Sequence, residues 1–106
     1  MKLKRIKEKD KNCVMEFEIN FYEKLLEEQP NFKECMKVLA ELYTKIGMYK
    51  NGLELDKKLS QLLPLDATVF YNLACSYSLI GDVDNSFNSI KKAVELGFND
   101  FDYMRQ

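Results

Sequence analysis

No histidine and no tryptophan occurs in this chain, and the strongest turn-formers are scarce, with four glycines and two prolines in 106 residues. So little glycine and proline leaves few hairpin turns to be made, which argues against an all-β architecture and for helices. The missing histidine removes the commonest general base and the commonest metal ligand. A zinc site would then have to combine carboxylates with three scattered thiols, Cys13, Cys35 and Cys75, none of them in a Cys-x-x-Cys pair. No metal and no cofactor is therefore expected. An odd set of separated cysteines fits reduced thiols, hence a cytoplasmic protein. No apolar run approaches the roughly 20 residues of a membrane span. The basic opening "MKLKRIKEKDKN" is not followed by an apolar h-region and does not read as a secretory signal.

What is present suits one soluble domain. Hydrophobic residues make up 46% of the chain, enough for a core, and charged residues 31%. The net charge of −1 is unevenly spread. Residues 1–12 hold six basic side chains against Glu8 and Asp10, a net of +4, and the remainder carries −5. A basic N-terminal arm over 1–12 ahead of a mildly acidic body could touch nucleic acid or an anionic membrane surface, although its two acids dilute the patch.

The chain repeats itself. Pro30 and Pro64 lie 34 residues apart, and the same shift lays "MKVLAELYTKIG" (Met36–Gly47) over "FYNLACSYSLIG" (Phe70–Gly81). Leu39 falls on Leu73, Ala40 on Ala74, Tyr43 on Tyr77, Ile46 on Ile80 and Gly47 on Gly81; further on, Leu53 falls on Phe87 and Lys58 on Lys92. Phe70, Leu73, Ala74 and Tyr77 stand at i, i+3, i+4 and i+7, the spacing of one helix face. Gly81 suits the left-handed position after a helix end, and Asp82 suits the cap of the next helix. Five helices are predicted, over about 13–28, 32–46, 49–62, 67–80 and 83–96, with a sixth starting near Asp100.

A 34-residue helix pair with this bulky-x2-Leu-Ala-x2-Tyr pattern, glycine turn and terminal proline resembles the tetratricopeptide repeat, in particular small stand-alone bacterial members of that family. The resemblance implies an all-α fold of antiparallel helix pairs stacked as a short right-handed solenoid. It divides the chain into a half repeat at 13–30, repeats at 31–64 and 65–98, and the start of a capping helix at 99–106. The family's close-packing small residues match Ala40 and Ala74 in the first helices, and Gly52 and Ser86 in the second. Its next bulky position is Ile90 in one repeat but Asp56 in the other, where looser or locally solvated packing is expected.

The resemblance also implies a binding mode, with a peptide or partner helix held on the concave face of the first helices. That face would carry Glu34, Lys37, Glu41 and Thr44 from one repeat, and Thr68, Tyr71, Asn72, Cys75 and Ser78 from the next, with Tyr71 as the principal anchor. Lys37 and Asn72 match two positions of the clamp with which some relatives hold a C-terminal carboxylate. Glu41 would repel that carboxylate, and the repeat supplying the remaining basic residues is missing. Cys75 aligns with Glu41 and has no histidine to activate it, so it is expected to line the groove and not to act as a nucleophile. No phosphate loop and no paired catalytic carboxylates appear. The expectation is a non-catalytic protein-interaction module or adaptor whose partner the sequence does not identify. The alternative is surface binding through the basic arm. Val14, Phe17 and Phe21 at the front, and Phe87, Ile90, Phe98 and Phe101 at the back, lack covering helices. Either two copies pair through like ends, or Phe98, Phe101 and Tyr103 fold back as a lid.

Overall fold

The computed structural model describes residues 8–99, with side chains from Asn12 onward. Five helices follow one another: α1 (Glu8–Glu28), α2 (Lys33–Lys45), α3 (Tyr49–Leu62), α4 (Ala67–Leu79) and α5 (Val83–Glu95). Four of the five match the predicted spans to within a residue at either end. α1 begins five residues earlier than predicted, so helix takes in the latter part of the stretch assigned to a basic arm. Residues 1–7 of that arm, and the sixth helix expected near Asp100, lie outside the described residues. No described helix is long and apolar enough to cross a membrane.

The helix ends show why the sequence repeats. Gly47 and Gly81, 34 positions apart, both adopt positive φ, at 87° and 82°. Each closes its helix in the same way. The Gly47 N–H donates to the Thr44 carbonyl and Met48 N–H to Tyr43; the Gly81 N–H donates to Ser78 and Asp82 N–H to Tyr77. This paired pattern satisfies the last carbonyls and turns the chain back within three residues. A side chain at either position would have to enter the left-handed region. Asp82 then caps α5 by accepting from the Asn85 N–H at 3.2 Å, and Asp66 caps α4 by accepting from Thr68 and Val69.

Each helix packs on the next, α1 on α2, α2 on α3, α3 on α4 and α4 on α5. Met36 and Leu39 of α2 are the largest fully buried side chains. One cluster joins Ile19 of α1 to Leu39, Leu42 and Tyr43; a second joins Met36 to Leu59 of α3 and Val69 of α4. The Tyr43 hydroxyl donates to Glu23, tying α2 to α1, and burial with that carboxylate pushes the phenol pKa up. In α1 the packed face is Met15, Ile19, Tyr22 and Leu26, whereas Phe17 and Phe21 project to solvent.

The close approaches repeat as well. A Cβ on Gly52 would stand 3.0 Å from Thr44 Oγ1 and 3.4 Å from the Ala40 carbonyl oxygen. At the equivalent place one repeat on, Ser86 Oγ donates to the Ala74 carbonyl at 2.8 Å. Small residues at these four positions let paired backbones come within contact of one another.

Asp56 departs from expectation. It is only 7% exposed and accepts a hydrogen bond from the Ser76 hydroxyl of α4. A bulky apolar side chain is replaced at this point by a carboxyl–hydroxyl pair, which meets the requirement that buried polar groups find partners.

Candidate functional site

A groove of about 480 Å³ opens between α2 and α4, with α3 behind it. Six of the nine predicted binding residues line it: Lys37, Glu41 and Thr44 from α2, and Thr68, Asn72 and Cys75 from α4. They converge because α2 and α4 occupy the same place in successive repeats, so their outward faces lie side by side. Glu34 and Ser78 stand apart from the groove lining. So does Tyr71, the expected anchor, whose ring is stacked on Phe98 with centroids 4.6 Å apart and planes 4° from parallel. Phe98 folds back over α4, as one of the three residues of the expected lid; Phe101 and Tyr103 lie outside the described residues.

The groove has parts that the sequence reasoning missed. Its wall includes Asp56, Leu59 and Ser76, and its edges include Val38, Lys45 and Leu79. A signal for the central pair was available. Asp56 stands where the other repeat has Ile90, and Ser76 where it has Leu42. Two polar exceptions in an otherwise apolar register are candidates for pairing with each other.

The electrostatics divide into an exposed rim and a buried centre. On the rim Lys37 approaches Glu34 at 3.7 Å and Lys45 approaches Glu41 at 3.2 Å, both well exposed to solvent. Such pairs contribute little to stability. In the centre, burial raises the Asp56 carboxyl to a pKa of about 6, and the Ser76 hydrogen bond opposes that rise only in part. Partial burial also raises the Cys75 thiol; a hydrogen bond with Tyr71 offsets this, and the Asp56 charge adds to it. A thiol held above its ordinary value is a poor source of thiolate. Cys13 and Cys75 are exposed, Cys35 is buried, and all three are free. Among the described residues no group of three metal-ligating side chains comes together.

No family model matches the sequence. Among solved structures the chain is similar to a MamA fragment, residue 41 to the end, from Desulfovibrio magneticus RS-1. The TM-score is 0.74 at 22% identity, over 80% of this chain and 48% of that one. A crystal structure of MamA gives a TM-score of 0.71 at 24% identity, over 89% of this chain and 57% of that one. Among curated proteins, 52 residues are 40% identical to the CTR9 homolog of Arabidopsis thaliana, taking in 49% of this chain and 5% of that protein. The chain thus spans about half the length of the structures it resembles, and a small part of the curated relative. MamA is a tetratricopeptide-containing protein and CTR9 a tetratricopeptide protein. With the 34-residue register and the repeated helix-pair geometry, these likenesses give this chain a tetratricopeptide-type helical-repeat fold, all-helical among its described residues.

Proposed function

We infer that this protein is a non-catalytic interaction module that binds a peptide or helix of another protein in the groove between α2 and α4. The observation that carries the reading is the groove itself. Polar and charged side chains from two repeats meet over an apolar wall of Leu59 and Val69, in a volume that suits several side chains of a ligand. The tetratricopeptide fold of this chain, shared with MamA and CTR9, supports a scaffold role.

Panning the protein against displayed random peptides tests this. Asn72 is exposed on the groove, so Asn72→Trp should fill the site without disturbing the core. Selected peptides should bind the parent protein and lose most of their affinity for the variant, whose melting temperature should be unchanged. Peptides that bind both equally would place the interaction elsewhere. Binding through the basic arm would instead weaken steeply with salt and vanish on removing residues 1–12.

A second reading concerns self-association. Phe17 on α1 is 72% exposed and Phe87 on α5 is 64% exposed, with Val14, Phe21 and Val83 beside them. Burying one such aromatic is worth about 1.5–3 kcal/mol. We propose pairing of two copies through the front face of α1, where Val14, Phe17 and Phe21 would meet their own counterparts across a two-fold axis. Sedimentation equilibrium over a hundredfold concentration range should show a rise toward twice the monomer mass, abolished by Phe17→Glu. A monomer mass throughout would rule the pairing out.

A further inference from the structure

Asp56 is a buried acid with no ion-pair partner among the described residues. Its one hydrogen bond among the described residues comes from the neutral hydroxyl of Ser76, to Oδ2. No fully buried side-chain oxygen among those residues lacks a partner, so Oδ1, which accepts none, is the atom that retains a surface, and the groove is the space that Asp56 lines. The charged groups around it do not compensate. From α2, Lys37 and Lys45 are drawn to Glu34 and Glu41 on the rim, and Glu41 adds a further negative charge. At the start of α4, the Asp66 carboxylate is engaged in capping backbone N–H groups. The lining as a whole carries two lysines against three acids, and its centre is negative. A cation of the right length would supply what the fold omits at this point, since an opposite charge close to a buried carboxyl favours its ionised form.

We propose that the groove selects peptides carrying a lysine or arginine side chain, which enters between α2 and α4 and pairs with Asp56. This rests on the groove reading above and adds the chemistry of the residue recognised. Long basic side chains match the geometry, because their methylene stems can lie along Leu59 and Val69 while the charged head reaches the carboxylate. Arginine can also donate two parallel hydrogen bonds to it.

The peptides selected by panning supply the probe. Their alignment should show a basic residue at one fixed position. Asp56→Asn keeps the shape and an acceptor for Ser76, and should weaken the best peptide about tenfold or more. Replacing that peptide's basic residue with norleucine should cost the parent protein a similar factor and cost the Asp56→Asn protein little, the signature of a direct pair. The norleucine peptide keeps the test valid even if the protein variant folds poorly. Peptides that Asn72→Trp excludes, yet which share no basic position or bind Asp56→Asn unchanged, would overturn this inference and leave the groove reading standing. Peptides indifferent to Asn72→Trp would overturn both.

Discussion

Replacing Ala74 with leucine should lower stability by on the order of 1–3 kcal/mol, the range for inserting methylenes into a filled contact. Ala74 is buried, and its carbonyl accepts the Ser86 hydroxyl at 2.8 Å, so a short side chain of α5 meets the backbone of α4 at this level. A leucine there has no free volume to enter. It must push α5 outward, breaking the Ser86 hydrogen bond as well as straining the contact. For a domain of this size such a loss corresponds to a fall in melting temperature of roughly 5–20 °C. Ala40→Leu should behave alike, because Gly52 takes the place of Ser86 against the Ala40 carbonyl. The neighbouring solvent-facing Ser78→Leu should be nearly neutral, which separates crowding from the mere addition of an apolar group. A denaturation midpoint unmoved by Ala74→Leu, measured in urea, would contradict the close approach on which the repeat geometry depends.

The fold was legible because its determinants are local and repeated. A glycine needed at positive φ, an aspartate cap and a helical apolar face each leave a mark in a few consecutive residues, and the 34-residue shift shows each mark twice. Leu39 with Leu73, and Gly47 with Gly81, confirm one another in this way. The groove was legible only in outline. Six residues were placed on it because they follow from which helix face the repeat turns outward. The stacking of Tyr71 on Phe98 is not legible in the repeat, because Phe98 lies 27 positions away, beyond the last complete helix pair. The burial of Asp56 is hidden from the repeat for a related reason. Read alone, an aspartate at a bulky position implies solvent. Its burial depends on Ser76 facing it from the next repeat, and a long-range pair leaves no periodic trace. The apolar residues of α1 divide likewise, since those that pack, Met15, Ile19, Tyr22 and Leu26, are set apart from the exposed Phe17 and Phe21 only once α2 has been placed.

Asp56→Asn should make the protein more stable at neutral pH. The folded carboxyl titrates at about 6, above its ordinary value of 3.8, with burial as the leading cause. Between those two values the folded state binds more protons than the unfolded state, so stability falls as pH rises through this window. Below it both states are protonated and the site costs little; above it both are ionised and the cost is complete. A rise of about two pH units corresponds to a ceiling of about 3 kcal/mol, and residual contact with water puts the expected effect on the order of 1–3 kcal/mol. Asparagine cannot ionise, and its carbonyl still accepts the Ser76 hydroxyl, so it removes the cost and leaves the packing alone. Asp82 acts in the opposite sense. Hydrogen bonds from Asn85 lower its carboxyl, and the stability it contributes is lost as pH falls. The parent's own pH profile is therefore a composite, and the informative quantity is the difference between variant and parent. Urea midpoints should nearly coincide at pH 3.5, separate through pH 5 and reach a constant gap above pH 7, with the variant the more stable. A gap that is independent of pH, or that favours the parent at pH 7, would show that Asp56 is ionised at little cost in the folded protein. A cost carried by the free protein and relieved by an incoming cation is what a recognition site predicts, whereas a purely structural carboxyl–hydroxyl pair would gain nothing from remaining an acid.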